Sequence, residues 1–309
     1  MNKANVLSET ACVVVTYNRL NLLKSTLNSF SALSRKPSKL FLVDNNSTDG
    51  TKEFLREWSS FKDSFEKEVI ELHANLGGSG GFYEGIRAAL QNDYKWIWVS
   101  DDDAFPDPMS FAIFERFVEK LTSSGDQINN VAAICAQVLN DSKTDIVHRR
   151  RVKKGFFSVW EEPVGKKEYE EDYFELDLFS YVGTILNSAY LRRAGLPDKD
   201  FFIYYDDTEH SLRLGKLGKI ICCPQIKVVH NTSNREQGFS WRTYYGTRNK
   251  LVTLKRHFGF NLYFFSSSKI LAKAMLRRIL RGNSQRFKMI VSAVHDARVE
   301  RLGIPPVYK

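Results

Sequence analysis

The sequence predicts an α/β protein built on a doubly wound, mostly parallel sheet flanked by helices. Three observations carry the prediction. Short, almost wholly apolar runs recur at residues 11–16 (ACVVVT), 39–43 (KLFLV) and 96–99 (WIWV), as strands covered on both faces require. Stretches with apolar residues at helical spacing separate them. Polar clusters close successive runs, and in such sheets ligands gather beyond the carboxyl ends of the strands.

The first strand ends at Thr16, Tyr17, Asn18 and Arg19, after which Leu20, Leu23, Leu27 and Phe30 mark a helix. The second strand ends at Asp44. NNSTDG turns, and Thr51 is placed to cap a helix with Phe54, Leu55 and Trp58 inward. Residues 69–72 read as a third strand. Asn75, Gly77 and Gly78 lie in NLGGSGG, a glycine loop whose N–H groups can approach a ligand closely, leading into a helix over 82–90. WIWV is the next strand, and Asp101, Asp102 and Asp103 follow at once.

Ser110 is expected to cap a helix with Phe111, Phe114, Phe117, Val118 and Leu121 inward. Residues 131–138 read as a strand. Residues 139–176 are charged and irregular, an excursion or flexible loop near the site. An apolar pattern returns at 181–188, followed by a short helix stopped near Gly195 and Pro197. Asp206 and Asp207 open a helix ended by Gly218. Residues 219–223 and 227–230 read as two strands, the second closing on His230. Past Arg235 aromatics alternate with Lys and Arg. The chain therefore divides into an α/β domain, 1–235, and a helical basic extension, 236–309.

Composition bounds the function. The 309 residues are 43% hydrophobic and 26% charged, the balance of an ordinary globular protein. No apolar run reaches the roughly 18 residues that span a bilayer, and no clear signal peptide opens the chain. Cys12, Cys135, Cys222 and Cys223 lack zinc spacing and read as reduced cytoplasmic thiols. The net charge of +9 suits an anionic partner. No recognised nucleic-acid motif accompanies it, so charge alone suggests DNA or RNA.

Three adjacent carboxylates at a strand end repel one another unless a cation compensates them. Period-two geometry sends Asp101 and Asp103 to one side and Asp102 to the other. Oxygen ligands favour Mg²⁺ or Mn²⁺; the competing reading is a solvated acidic turn closed by Pro106 and Pro108. Asp206 and Asp207 form either a general base or a helix cap. His230 is either a satisfied half-buried histidine or a third metal ligand. The glycine run lacks G-x-G-x-x-G spacing, which weakens a nicotinamide-enzyme reading.

In order, VVVTYNR, VDNNSTDGT, NLGGSGG, WVSDDD, YYDDTEHSLRL and VVH resemble the family 2 inverting glycosyltransferases of GT-A fold. The likeness is strongest to the galactofuranosyltransferase branch, with rhamnosyltransferases using dTDP-rhamnose as the rival. The resemblance implies that Thr16, Asn18 and Arg19 border the nucleotide, with Asp44 on the uracil or ribose. Asn75, Gly77 and Gly78 would lie against ribose, diphosphate and sugar. Asp101, Asp103 and His230 would hold Mn²⁺ or Mg²⁺, with Asp102 also at the donor. The base would be Asp207, with Asp206 second. The implied partners are a nucleotide sugar, UDP-galactofuranose, a lipid-linked glycan acceptor and an anionic membrane surface on the cytoplasmic side. A sugar-nucleotide-binding scaffold is the non-enzyme alternative.

Overall fold

The computed structural model describes residues 6–125, 127–230 and 240–305. Its centre is β1 (Thr10–Thr16), in which all seven residues are buried. In chain order follow α1 (Leu20–Ser31), β2 (Lys39–Asp44), α2 (Thr51–Ser60), β3 (Glu66–Glu71), α3 (Gly77–Leu90), β4 (Trp96–Asp101), β5 (Ala104–Pro106) and α4 (Ser110–Ser123). Next come β6 (Val131–Asn140), β7 (Lys143–Thr144), β8 (Arg149–Lys154), β9 (Val159–Pro163), β10 (Phe174–Leu176), β11 (Leu178–Phe179), β12 (Thr184–Asn187), α5 (Ser188–Ala194), α6 (Asp206–Gly215) and β13 (Lys219–His230). Three helices close the chain: α7 (Arg242–Phe258), α8 (Phe260–Arg281) and α9 (Ser284–Val299).

The main sheet runs β10-β13-β6-β12-β4-β1-β2-β3. Pairs β1–β2, β1–β4, β2–β3 and β6–β13 are parallel, while β12 enters antiparallel between β4 and β6. Register levels the strand ends: Val15 lies opposite Asp101, and Thr16 opposite Asp44. Strand pleating then divides the core. Cys12, Val14, Trp96 and Trp98 enter one cluster, and Ala11, Val13, Ile97 and Val99 the other, so each face of the sheet is covered by helices.

Several elements differ from the expectations. The glycines of NLGGSGG are the first turns of α3 rather than a loop before it. Glycine is a poor helix former, but here the helix lies too close to the sheet for side chains. A Cβ on Gly85 would stand 2.3 Å from Val13 Cγ1 and one on Gly81 2.4 Å from Val15 Cγ1. Gly85→Ala is therefore expected to destabilise the fold by about 1–3 kcal/mol through overpacking, despite a helix-propensity gain of up to about 1 kcal/mol. Denaturant unfolding of the two proteins measures it.

Neither Thr51 nor Ser110 is a helix cap: each is the first helical residue, following Gly50 and Met109. Gly50 takes the cap position with φ +90°, and the Ser110 hydroxyl donates to the Lys227 carbonyl at 2.6 Å. α6 ends at Gly215, before Gly218. Residues 219–230 form one strand, with a register shift between Cys223 and Lys227, where Pro224 has no N–H to give the ladder. The charged stretch 139–176 is ordered. β8 and β9 form a hairpin, with β11 added to its edge. Its anchor is Arg149, wholly buried, which donates to the carbonyls of Ala136, His148 and Val182 at 2.7–3.0 Å.

The expected division at 235/236 lies outside the described residues. The C-terminal helices pack on the segment before α6. Arg248 of α7 is buried and donates to the carbonyls of Asp200, Phe201 and Gly303. Asn249 Nδ2 stands 2.9 Å from the carbonyls of Phe201, Ile203 and Tyr204. Among the described residues no helix is long and apolar enough to cross a membrane.

Candidate active site

Pairing of β5 with the end of β13 builds the centre of the site. His230 lies opposite Ala104, one residue beyond the acidic triplet. Asp101, Asp103 and His230 thereby offer three ligand atoms within 4.8 Å of one another. Asp103 Oδ1 lies 3.2 Å from His230 Nε2. That contact lacks hydrogen-bond geometry, and Asp103 Oδ1 and His230 Nδ1 are buried without a hydrogen-bond partner. Asp102 turns the other way. It accepts from the Thr16 hydroxyl at 2.7 Å, and Arg19 Nη1 reaches both Asp102 Oδ1 (3.2 Å) and Asp103 Oδ2 (2.8 Å).

The charges here are out of balance. Burial, then the charge of Asp103, pushes the Asp101 carboxyl up to about 7. Burial lifts Asp102 to about 6 despite Thr16 and Arg19. Burial would also raise Asp103, but His230 and Arg19 outweigh it and hold that carboxyl below its usual range. His230 is raised in turn: burial opposes its charge, and Asp103 and Asp101 overcome the opposition. A divalent cation would restore balance and give the buried Asp103 Oδ1 a partner, and two carboxylates plus one imidazole suit Mn²⁺ or Mg²⁺. The donor set fits such an ion.

Beside this cluster lie the other strand ends. Both Asp44 oxygens accept from the Ser47 N–H, at 3.1 and 3.2 Å. Asn18, at φ +51°, accepts from the Thr48 N–H through its side chain. Asn75 Oδ1 accepts from the Gly77 N–H at 2.8 Å. Asn45, which sequence reasoning passed over, donates to the Gly77 carbonyl and accepts from the Leu76 N–H, both at 2.8 Å. Gly77 has φ +71°, and a Cβ there would fall 2.0 Å from the Phe202 carbonyl. Gly78 faces open space.

Phe202 belongs to the second half of the site. Phe202, Tyr204 and Tyr205 all hold left-handed φ of 66–68°, costing of order 1–3 kcal/mol each. Arg248 and Asn249 clamp this segment, and it delivers Asp206 and Asp207 at the start of α6. Neither carboxylate caps the helix, since Tyr205 holds the cap position and no side chain bonds there. Burial and then the charge of Asp207 push Asp206 up to about 8, and Asp101 adds to the rise. The two acidic clusters thus act on each other across the site. Burial raises Asp207 too, but Arg150 opposes it, as do the bonds from Thr208 (N–H at 2.6 Å, hydroxyl at 3.1 Å). Arg150, also missed in the sequence, donates to the Thr208 hydroxyl at 3.1 Å and pairs with Glu161.

The glycosyl transferase family 2 profile matches residues 11–187. The chain belongs to glycosyl transferase family 2. This family 2 chain is a glycosyltransferase, and it is 27% identical over 218 residues to galactofuranosyltransferase GlfT1 of Mycolicibacterium smegmatis. That stretch is 68% of this chain and 67% of the relative. Two solved structures share the GT-A-like fold. S. aureus TarS 1–349 in complex with UDP-GlcNAc superposes with a TM-score of 0.60 at 15% identity, covering 95% of this chain and 83% of that one. GalNAc-T7 with UDP, GalNAc and Mn²⁺ gives 0.62 at 14% identity, covering 96% and 58%. The profile match stops short of Asp206, Asp207 and His230. Their place in the site rests on the geometry above.

Proposed function

We propose that this glycosyltransferase is metal-dependent and inverting, and that it transfers galactofuranose from UDP-galactofuranose to a hydroxyl of a lipid-linked glycan at the cytoplasmic face of the membrane. The observation that carries the reading is the Asp101–Asp103–His230 cluster, in which the buried Asp103 Oδ1 has no hydrogen-bond partner, set across the site from a second carboxylate pair. The relative named as a galactofuranosyltransferase supports the donor sugar. The neighbours solved with UDP-GlcNAc and with UDP and Mn²⁺ support the nucleotide and the ion.

Asp101, Asp103 and His230 would hold Mn²⁺ or Mg²⁺. When bound, the ion neutralises the charge growing on the departing diphosphate. Thr16, Asn18, Arg19 and Asp44 border the nucleotide, and Asp102 fixes Thr16 and Arg19 in place. Asn75, Gly77 and Gly78 lie along ribose, diphosphate and sugar. Asp207 takes the proton of the acceptor hydroxyl as it attacks the anomeric carbon from the face opposite the diphosphate. One displacement inverts the configuration, with an oxocarbenium-like transition state as in glycoside hydrolysis.

The pair Asp206 and Asp207 divides the work as buried like charges do, one carboxyl neutral and one ionised. Burial and the charge of Asp207 push the Asp206 carboxyl up to about 8, so it keeps its proton at neutral pH. At Asp207 the charge of Arg150 and the bonds from Thr208 oppose the rise that burial causes, which favours it over Asp206 as the base.

Gly78→Ala separates stability from donor binding. Its Cβ meets nothing within 4 Å of protein, so stability should hold or rise by up to about 1 kcal/mol. The KM for the donor should rise, because that open space is where the donor lies; paired unfolding and kinetic measurements show both. The reading as a whole is tested by product analysis with UDP-galactofuranose, UDP-GlcNAc and dTDP-rhamnose as donors. Transfer from UDP-galactofuranose alone is expected, and preference for another donor would overturn the sugar assignment.

A further inference from the structure

We infer that the tip of the β8–β9 hairpin and one face of α8 together form a docking surface for an anionic phospholipid bilayer. The inference deepens the membrane part of the proposed function. At the tip, Phe156 is 88% and Phe157 56% exposed, and Trp160 is also exposed. Lys153 and Lys154 precede them. The tip is not isolated: the Phe157 ring meets Phe265 of α8 with centroids 4.7 Å apart.

Along α8, Phe264, Phe265, Met275, Leu276, Ile279 and Leu280 are all exposed, the last two by 70% and 72%. Spacings of three and four place them on one side of the helix. Lys269 and Lys273 lie within or beside that stripe, with Arg278 and Arg281 near the helix end. The 22 residues of α8 carry five Lys and Arg and no acid, and no acid occurs from residue 237 to 295.

Large exposed aromatics and aliphatics rimmed mostly by cations, with Glu162 beside the Trp160 indole as the acid at the tip, match the interface of an anionic bilayer. Apolar side chains enter the headgroup boundary while Lys and Arg meet the phosphates. A second copy of this chain would bring the same cations against themselves, which disfavours that occupant.

The hairpin connects this surface to the chemistry. Its root residue Arg150 contacts Thr208 at the start of α6, beside Asp207. From Arg150 to Phe156 is six residues, roughly 20 Å of extended chain. A glycan anchored in the bilayer would therefore need a few sugars between lipid and acceptor hydroxyl.

The test is flotation of the full chain with vesicles of phosphatidylcholine alone, or with about one third phosphatidylglycerol, at low and high salt. Binding to the anionic vesicles at low salt is expected. Two double variants, Phe156→Ser with Phe157→Ser and Ile279→Ser with Leu280→Ser, should each lower it by about tenfold or more. Donor hydrolysis and transfer to a water-soluble acceptor should stay within about twofold of the parent, since none of the four residues touches the site. Absence of binding, or equal binding by the variants, overturns the inference. So does a concentration-dependent dimer that the same substitutions dissolve, which assigns the face to a second copy. Vesicle binding without any glycosyl transfer would instead overturn the proposed donor chemistry and leave the docking surface standing.

Discussion

Asp207→Asn is expected to lower kcat/KM by about 100- to 10,000-fold, the span general-base catalysis contributes, while the affinity for UDP stays unchanged. The amide keeps the shape and the contacts with Thr208 but cannot take a proton. Asp206→Asn should behave differently. If Asp206 is held neutral by burial and by its neighbour, an amide is a fair replacement for its protonated carboxyl, and activity should fall by no more than about tenfold, well short of a lost base. Single-turnover transfer with both variants separates the roles. A larger loss in Asp206→Asn would exchange the two assignments.

The second large effect concerns the metal cluster. Chelation with EDTA should remove transfer, and Mn²⁺ or Mg²⁺ should restore it. Asp103→Asn should cost about 100-fold or more in kcat, because an ion on the leaving diphosphate contributes several kcal/mol at 1.36 kcal/mol per decade. The same substitution also takes an ion-pair partner from Arg19 and from His230. Thermal unfolding must therefore accompany the kinetics, to show that the loss is chemical and not structural. Full activity in EDTA would remove the metal from the account.

The sequence revealed most where burial forces a pattern. The runs ACVVVT, KLFLV and WIWV are strands because both faces of the sheet are covered, and the polar residues closing them share one edge. In the acidic triplet, Asp101 and Asp103 lie with His230 and Asp102 accepts from Thr16, but Arg19 reaches both Asp102 and Asp103, because the strand ends at Asp101 and a turn, not pleating, places the other two.

It revealed least where tertiary contact overrides local preference. Glycines 77, 78, 80 and 81 look like a loop, yet they open a helix: the Phe202 carbonyl at Gly77 and Val15 at Gly81 leave no room for a Cβ, while Gly78 faces open space. The β8–β9 hairpin hides behind its Lys and Arg, and its buried Arg149 is satisfied by carbonyls that no sequence pattern announces. Arg248 and Asn249 sit in a stretch that reads as basic and surface-seeking, but they hold the backbone that presents Asp206 and Asp207. Distance along the chain concealed the pairing of β5 with β13. Only that pairing brings His230 to Asp103.

The central claim is that Asp101, Asp103 and His230 grip a divalent ion through which the nucleoside diphosphate is held. Calorimetric titration of UDP into the protein, with and without Mn²⁺, tests it most directly. Binding should be about tenfold or more tighter with Mn²⁺, a difference of about 1.4 kcal/mol or more, and Asp103→Asn should abolish that gain. Equal affinity for UDP in the presence and absence of the ion would contradict the claim.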